Sequence, residues 1–557
     1  MIISTSSAYA ADPVLAAANA GKFEFMTLLP PLVAIALAFA TKNVVVSLFI
    51  GVYTGAFMLS LKGLHVINAM IDGYSKFIQE ALSALSDPWN AGIVLQCLCI
   101  GGLIALVSKM GGAKAIAESL AKRAKTPKSA QIVTWLMGLL IFFDDYANSL
   151  TVGPIMRPVT DRLRISREKL AFIVDATAAP IAGIALISTW VAYEIGLIKD
   201  GYSTIGLDVN AYGIFVETIP YRFYNILILF FIVCTAFMLK EFGPMYTAEQ
   251  RARTTGKLLN DGAIPMVSDE SNRLEPAEGI RLSVWNAIIP ISVLIVGAFL
   301  GFYVNGYNSI LGGDNQTLIH LIKESPSSFL AIREAFGASD ASVVLFQAAL
   351  FAGIVAVAMG TAQRMFTIPE AIQYWLEGVK SLVITGVILI LAWSLSGVIK
   401  ELGTAKYLVS ILSDTIPHFL LPSIIFVLGS FISFSTGTSY GTMGILMPLA
   451  IPLAYAMVPD QGYVLMNVGA VLTGAIFGDH CSPISDTTIL SSMGTACDHI
   501  DHTRTQLFYA ITVGAIAIVC GYIPVGLGVP VLVVLPFSIA AVAAIVFFFG
   551  KRVPEYE

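Results

Sequence analysis

The stretch IFGDHCSPISDTTILSS (476–492) sets Asp479, His480, Ser482, Ser485 and Asp486 around Pro483 inside an otherwise apolar run. Acids and hydroxyls are hard oxygen ligands, and they suit a hard cation such as Na+. An acid in the middle of an apolar span costs about 3 kcal/mol or more as an anion, so it marks a functional site by default. Ser482 reads as a helix N-cap and Pro483 as the first helical residue. That places Asp479 and His480 on an unwound link and Asp486 in a first turn, where it would also answer the helix dipole. Three further stretches have the same character. FFDDYANSLT (142–151) carries Asp144, Asp145, Asn148, Ser149 and Thr151, and SFSTGTSYGT (433–442) carries Thr436, Thr438 and Ser439. DATAAPIAG (175–183) has Asp175 and Thr177 ahead of Pro180, but no hydroxyl at Ala179 to cap a new helix. Bare amides at Ala179–Ile181 would accept an anionic group.

These segments contain no Lys or Arg. Two readings follow: exchange of Na+ for H+ at the acids, or Na+-coupled carriage of a small organic solute such as a carboxylate or amino acid. An enzyme is not expected, and no residue is assigned as catalytic. Asp479, His480 and Ser482 are chain neighbours, whereas a catalytic triad converges from separate elements. No P-loop is present to use ATP. CDHIDH (497–502) has metal-ligand residue types, but at a helix start its acids and histidines serve as caps. No resident cofactor and no nucleic-acid partner are expected; the partners are lipid, Na+, H+ and, in the second reading, the solute.

The surrounding composition says what must position these groups. Of 557 residues, 56% are hydrophobic and 12% charged, and mean hydropathy is +0.80; a soluble domain carries about 25% charged residues. The apolar runs have the length of membrane-crossing helices rather than of barrel strands. Spans are expected near 25–41, 43–61, 91–108, 168–197, 222–240, 283–304, 341–360, 381–398, 463–494, 506–526 and 528–548. The stretches 128–157 and 419–458 break at polar centres and read as re-entrant hairpins. Lys122, Arg123, Lys125 and Lys128 precede the first, and Arg157, Arg162, Arg164, Arg167 and Lys169 follow it. Basic loops are cytoplasmic, as are 241–281 and the Lys551-Arg552 tail, which leaves the N-terminus outside. AYAADP (8–13) resembles a signal-peptidase site, and residues 1–22 are expected to be non-structural. The six cysteines have no paired spacing and read as core residues.

GAKAIAESL (112–120) recurs as TAKYLVSIL (404–412), pairing Lys114 with Lys406, and APIAGIALIST recurs as SPISDTTILSS, pairing Pro180 with Pro483. The hairpins fall between these matches in the same order. The expected fold is therefore all-α and polytopic, with two repeats of five spans plus one hairpin. An odd number of spans makes the repeats inverted, as in secondary transporters. The divisions are 23–240, a cytoplasmic linker 241–281, 282–527, and an extra span with tail over 528–557.

FGDHCSPISDTTILSS, together with CDHIDHTRTQL and FFDDYANSLTVGPIMRPVTDRLRIS, resembles the NhaC-type Na+/H+ antiporter family of the ion transporter superfamily. The resemblance spans roughly residues 90–520. It implies inverted repeats, an elevator-like transport domain on a dimeric scaffold, and a bacterial inner-membrane location. It also implies Na+ at Asn148, Ser149 and Thr151 with the 175–180 break, and at Thr436, Thr438 and Ser439 with 479–486, Asp479 among the ligands. The amphipathic stretches 64–84 and 367–379 would be membrane-surface arms. The family also contains exchangers of organic acids, so the resemblance leaves the substrate open.

Overall fold

A computed structural model describes residues 13–41, 43–61, 65–265, 282–404, 407 and 416–554. Helix α1 (Pro13–Phe23) corrects the expectation of a non-structural start: its Ala-rich sequence favours helix, and Asn19 Nδ2 donates to Glu401 O at 2.8 Å. The signal-like residues 8–12 lie outside the described residues. Helices α2 (Leu29–Thr41) and α3 (Val44–Ser60) follow, then α4 (Val66–Ser86), which leaves Ile67, Met70, Ile71 and Tyr74 exposed as a surface arm would. Helix α5 (Pro88–Lys109) is mostly buried, and α6 (Gly112–Ala121) leads into the first hairpin.

That hairpin pairs α7 (Pro127–Leu140) with α8 (Asp145–Arg162). Its turn spans only 141–144, so the tip expected over 144–151 is the opening of α8. Helix α9 (Arg167–Ala176) ends two residues short of the four-residue α10 (Ala179–Ala182), after which the chain stays irregular until α11 (Thr189–Thr204). A helix does begin at Ala179 without a side-chain cap, as expected, but it is a single turn that ends at Ala182 and not a long half-helix. The long second half starts at Thr189, and Ser188 Oγ caps it from Trp190 N at 3.1 Å.

Helices α12 (Ala211–Thr218) and α13 (Phe223–Met238) meet at a 49° bend. Strand β1 (Lys240–Glu241) and α14 (Gly243–Thr255) come next; residues 266–281 of the expected linker lie outside the described residues. Then follow α15 (Trp285–Leu311), α16 (Gln316–Glu324), α17 (Phe329–Gly337) and α18 (Ala341–Ala362). The amphipathic α19 (Ile368–Ser381), opened by a Thr367–Glu370 capping box, precedes α20 (Val383–Leu402). Lys406 and most of 404–412, the proposed repeat of 112–120, also lie outside the described residues.

The second hairpin pairs α21 (Leu421–Thr436) with α22 (Ser439–Met457) across Gly437-Thr438. Helix α23 (Gln461–Cys481) breaks at Ser482–Ser485 before α24 (Asp486–Thr495). The new helix starts three residues later than expected. Ser485, not Ser482, is its N-cap residue, so Asp479 and His480 belong to the last turn of α23. Helix α25 (His499–Ile516) continues through a π-helical turn to α26 (Ile523–Gly526); α27 (Val531–Phe549) and β2 (Lys551–Arg552) end the described chain, and β2 pairs antiparallel with β1.

Among the described residues, ten helices are long and apolar enough to cross a membrane. Lipid supplies no hydrophobic drive between helices, so close backbone approach must hold them. Helices α21 and α23 pack extensively: a Cβ at Gly474 would sit 2.5 Å from Phe426 O, and one at Gly478 2.3 Å from Ser430 O. Helix α24 packs on α8 in the same manner, with Gly153 against Gly494. Both hairpins are thereby held against broken helices.

Candidate functional site

The order of elements explains the convergence: each hairpin turn abuts an interrupted helix, and the interruptions expose side chains toward each other. In the second half, Ser439 opens α22 and its Oγ donates to Asp479 Oδ2 at 2.8 Å. Ser485 lies beside the same carboxylate. Gly437, at φ +66°, closes α21 and brings the turn against Ile484 O. Ser482 Oγ donates to Phe434 O at 2.7 Å, tying the break to α21.

In the first half, Asn148 Nδ2 donates to Gly138 O (2.9 Å) and Thr177 O (2.7 Å), locking the hairpin to the end of α9. Its Oδ1 is buried without a partner. Asp175, fully buried, accepts from Gln506 Nε2 at 2.6 Å through Oδ2, while Oδ1 is unpartnered. Gln506 also donates to His480 O. One amide of α25 therefore links Asp175 to the residue next to Asp479. Among the described residues, none of Asp144, Asp145, Asp175, Asp479 and Asp486 has a Lys or Arg partner within 4 Å; His502 Nε2 lies 3.9 Å from Asp175.

The halves also touch directly. Ser149 Oγ is 3.1 Å from Ser491 Oγ, and Tyr146 Oη donates to Asp486 Oδ2 at 3.1 Å.

Several expected ligands serve the backbone instead. Asp144 caps α8 from Ala147 N at 2.7 Å, with Asp145 buried beside it. Thr177 and Thr436 bond back to Ile173 O (2.8 Å) and Ile432 O (2.9 Å). Among the described residues, the Thr151 and Thr438 side chains make no hydrogen bond to the cluster, and Asp486 is exposed. His480 is buried, with Nδ1 2.6 Å from Tyr224 Oη. An apolar crevice of about 470 Å³ flanks the first break, lined by Leu139, Phe142, Ile181, Leu186, Ile295 and Phe299, with no acid in its lining.

Sequence reasoning did not single out Tyr146, Ser491 and Gln506, although each lies in a stretch it quoted, because acids and caps beside them drew the attention; Tyr224, in an apolar helix, gave no signal. Two buried cations were also missed. Lys169 Nζ pairs with Glu241 Oε1 at 2.8 Å. Arg222 lies 2.7 Å from Glu194 and donates to Thr218 Oγ1 and to Gly183 O in the first break.

The profile of the Na+/H+ antiporter family matches residues 181–527, more than half of the chain. The chain belongs to the Na+/H+ antiporter family. Similar relatives include an uncharacterized protein of Haemophilus influenzae, 35% identical over 94% of this chain and 95% of that one. The malate-2H(+)/Na(+)-lactate antiporter of Bacillus subtilis is 33% identical over 30% of this chain and 34% of its own. The crystal structure of the YdaH transporter of Alcanivorax borkumensis superposes with a TM-score of 0.53 at 15% identity, covering 90% of this chain and 99% of that one. That likeness concerns the fold: a transporter architecture. As a Na+/H+ antiporter family member with this fold, the chain is a membrane-embedded secondary antiporter.

Proposed function

We propose that this antiporter exchanges Na+ for H+ across a bacterial plasma membrane. The observation that carries the reading is the pair of buried carboxylates, Asp479 and Asp175, one on each broken helix and neither with a Lys or Arg partner. Buried unpaired anions are costly, and a bound cation or proton removes that cost. Asp479 with Ser439 and Ser485 offers hard oxygens to Na+, while Asp175 with its free Oδ1 takes the proton. Gln506 donates both to Asp175 and to His480 O, beside Asp479, so two buried carboxylates lie at the ends of one link, and a cation or proton on one lowers the other's need for a cation. That is the competition an exchanger needs. The hairpins, inverted repeats and basic loops suit alternating access on a dimeric, elevator-like scaffold with the N-terminus outside.

A second reading, Na+-coupled exchange of a small carboxylate, is favoured by the likeness to the malate-2H(+)/Na(+)-lactate antiporter of Bacillus subtilis. Against it, the bare amides expected at Ala179–Ile181 are not the start of a long helix, and Arg222 is engaged by Glu194, Thr218 and Gly183. Proteoliposomes with an internal pH dye separate the readings. Addition of Na+ alone should move protons; silence with Na+ alone, followed by flux once malate or lactate is present, would replace this reading with the second.

A further inference from the structure

We propose that His499, Ser492 and His502 form a proton relay that loads Asp175 from the basic face of the protein. The proposal rests on the Na+/H+ reading only for its direction of use; the relay itself stands on hydrogen-bond geometry.

His499 is half-buried at the start of α25, beside the face that carries Arg167 and Arg251. Its Nε2 lies 2.6 Å from Pro483 O. A carbonyl only accepts, so His499 carries its proton on Nε2 and leaves Nδ1 as an acceptor. His502 is fully buried one turn further on, with Nε2 2.9 Å from Gln506 Oε1. Gln506 must present its amide nitrogen to the Asp175 carboxylate and to His480 O, both acceptors, so its oxygen faces His502. His502 is therefore also an Nε2–H ring with a bare Nδ1.

Both bare nitrogens point at one hydroxyl. Ser492 Oγ is 3.1 Å from His499 Nδ1 and 2.8 Å from His502 Nδ1, and it also lies 2.8 Å from Thr488 O. One hydroxyl proton faces three acceptors. A buried cluster short of a donor is unfavourable, and one added proton repairs it: an imidazolium then donates to Ser492 Oγ while the hydroxyl donates onward.

The transfer balances. His499 takes up a proton at Nδ1, its one bare nitrogen, when the half-buried ring turns toward the basic face, and on returning it carries N–H on both nitrogens. Its Nδ1–H passes to Ser492 Oγ as the serine proton passes to His502 Nδ1. His502 then releases Nε2–H to Asp175 Oδ2, after a ring rotation that closes the present 3.9 Å. Uptake and release each break and form one bond to hydrogen, and the serine step breaks and forms two; the net change is one proton moved from His499 to Asp175, with His502 left as its Nδ1–H tautomer until its ring returns to Nε2–H, and no redox partner is needed.

The charged and titratable groups around the relay come from four helices. They are Asp175, Glu168 and Arg167 on α9; His480 on α23; Asp498 and Asp501 on α25; and Glu249, Arg251 and Arg253 on α14. Arg251 holds Glu168 at 2.8 Å, Arg253 faces Glu249 at 3.4 Å, and Arg167 pairs with Asp161 at 2.6 Å. Asp498 caps its own helix at Ile500 N and Asp501 N. Asp175 is thus the buried anion on the relay's inner side without a Lys or Arg.

The test has two arms on the full-length protein. In 15N-histidine spectra, assigned with His499→Gln and His502→Gln, neutral His499 should be an Nε2–H tautomer and His502 an Nε2–H tautomer in exchange with Nδ1–H as protons pass; either ring fixed as Nδ1–H overturns the relay. In proteoliposomes, Ser492→Ala should lower Na+-driven proton flux by about a hundredfold while isotopic Na+/Na+ exchange stays within about twofold of wild type. Ser492→Thr, which keeps the hydroxyl, should restore proton flux. Unchanged proton flux in Ser492→Ala, or equal loss of both fluxes, overturns the proposal. A wild-type protein with no Na+-driven proton flux would refute the Na+/H+ reading instead, and the spectra would still decide the relay.

Discussion

Arg222→Met leaves Glu194 as a fully buried carboxylate with no counter-charge. The native contact is short, 2.7 Å, yet both Glu194 oxygens lack an aligned hydrogen bond. The guanidinium instead aims its N–H groups at Thr218 Oγ1, 2.9 and 3.2 Å away, and at Gly183 O. Breaking such a pair from one side costs about 3–5 kcal/mol, or roughly two to nearly four powers of ten in the folded ratio. Replacing both partners by apolar groups removes both desolvation costs and is often neutral or stabilising by about 1–4 kcal/mol. The double variant Arg222→Met/Glu194→Leu should therefore regain most of the stability lost by either single change, less the bond to Gly183 O. Thermal unfolding in detergent reads the stability cycle, and Na+-driven proton flux in proteoliposomes reads function. A double variant as unstable as Arg222→Met would refute the ion-pair reasoning. A stable double variant that has lost all transport would mean Arg222 acts on the cargo, which a cation-only site does not allow.

Asp175→Asn should retain isotopic Na+/Na+ exchange while losing Na+-driven proton flux, and Asp479→Asn should lose both; identical phenotypes would contradict separate proton and Na+ roles. Ser149→Cys/Ser491→Cys should cross-link readily on oxidation because the native hydroxyls lie 3.1 Å apart, and lack of cross-linking in folded protein would place α8 and α24 differently. Gly437→Ala should destabilise the second hairpin by about 1–2 kcal/mol from its left-handed backbone alone. It should also weaken Na+ affinity, because a Cβ there would meet Ile484 O at 2.5 Å and push the turn from Ser485; unaltered Na+ affinity would detach that turn from the site.

By itself the sequence determined the elements and where they fail. Long apolar runs with few charges can only be membrane helices, since lipid leaves backbone groups no other partner. Prolines 180 and 483 and the glycine turn at 437 mark interruptions that no helix can bridge intact. Acids there are conspicuous because a charge in an apolar run has no cheap explanation, so Asp175 and Asp479 were legible. The exact starts of the half-helices were not. Ser482 and Ser485 are both competent caps, and the contact of Ser482 with Phe434 O, a neighbour 48 residues away, decides between them. Only the tertiary structure decided which polar groups are spent and which are free. Asp144, Thr177 and Thr436 satisfy their own backbone, whereas Asn148 Oδ1 and Asp175 Oδ1 are left open. It also decided that Gln506, Ser492 and two histidines of a capping motif converge on Asp175. Hydrogen bonds between helices depend on rotation and depth in the bundle, and a one-dimensional pattern of polar residues in apolar helices carries neither.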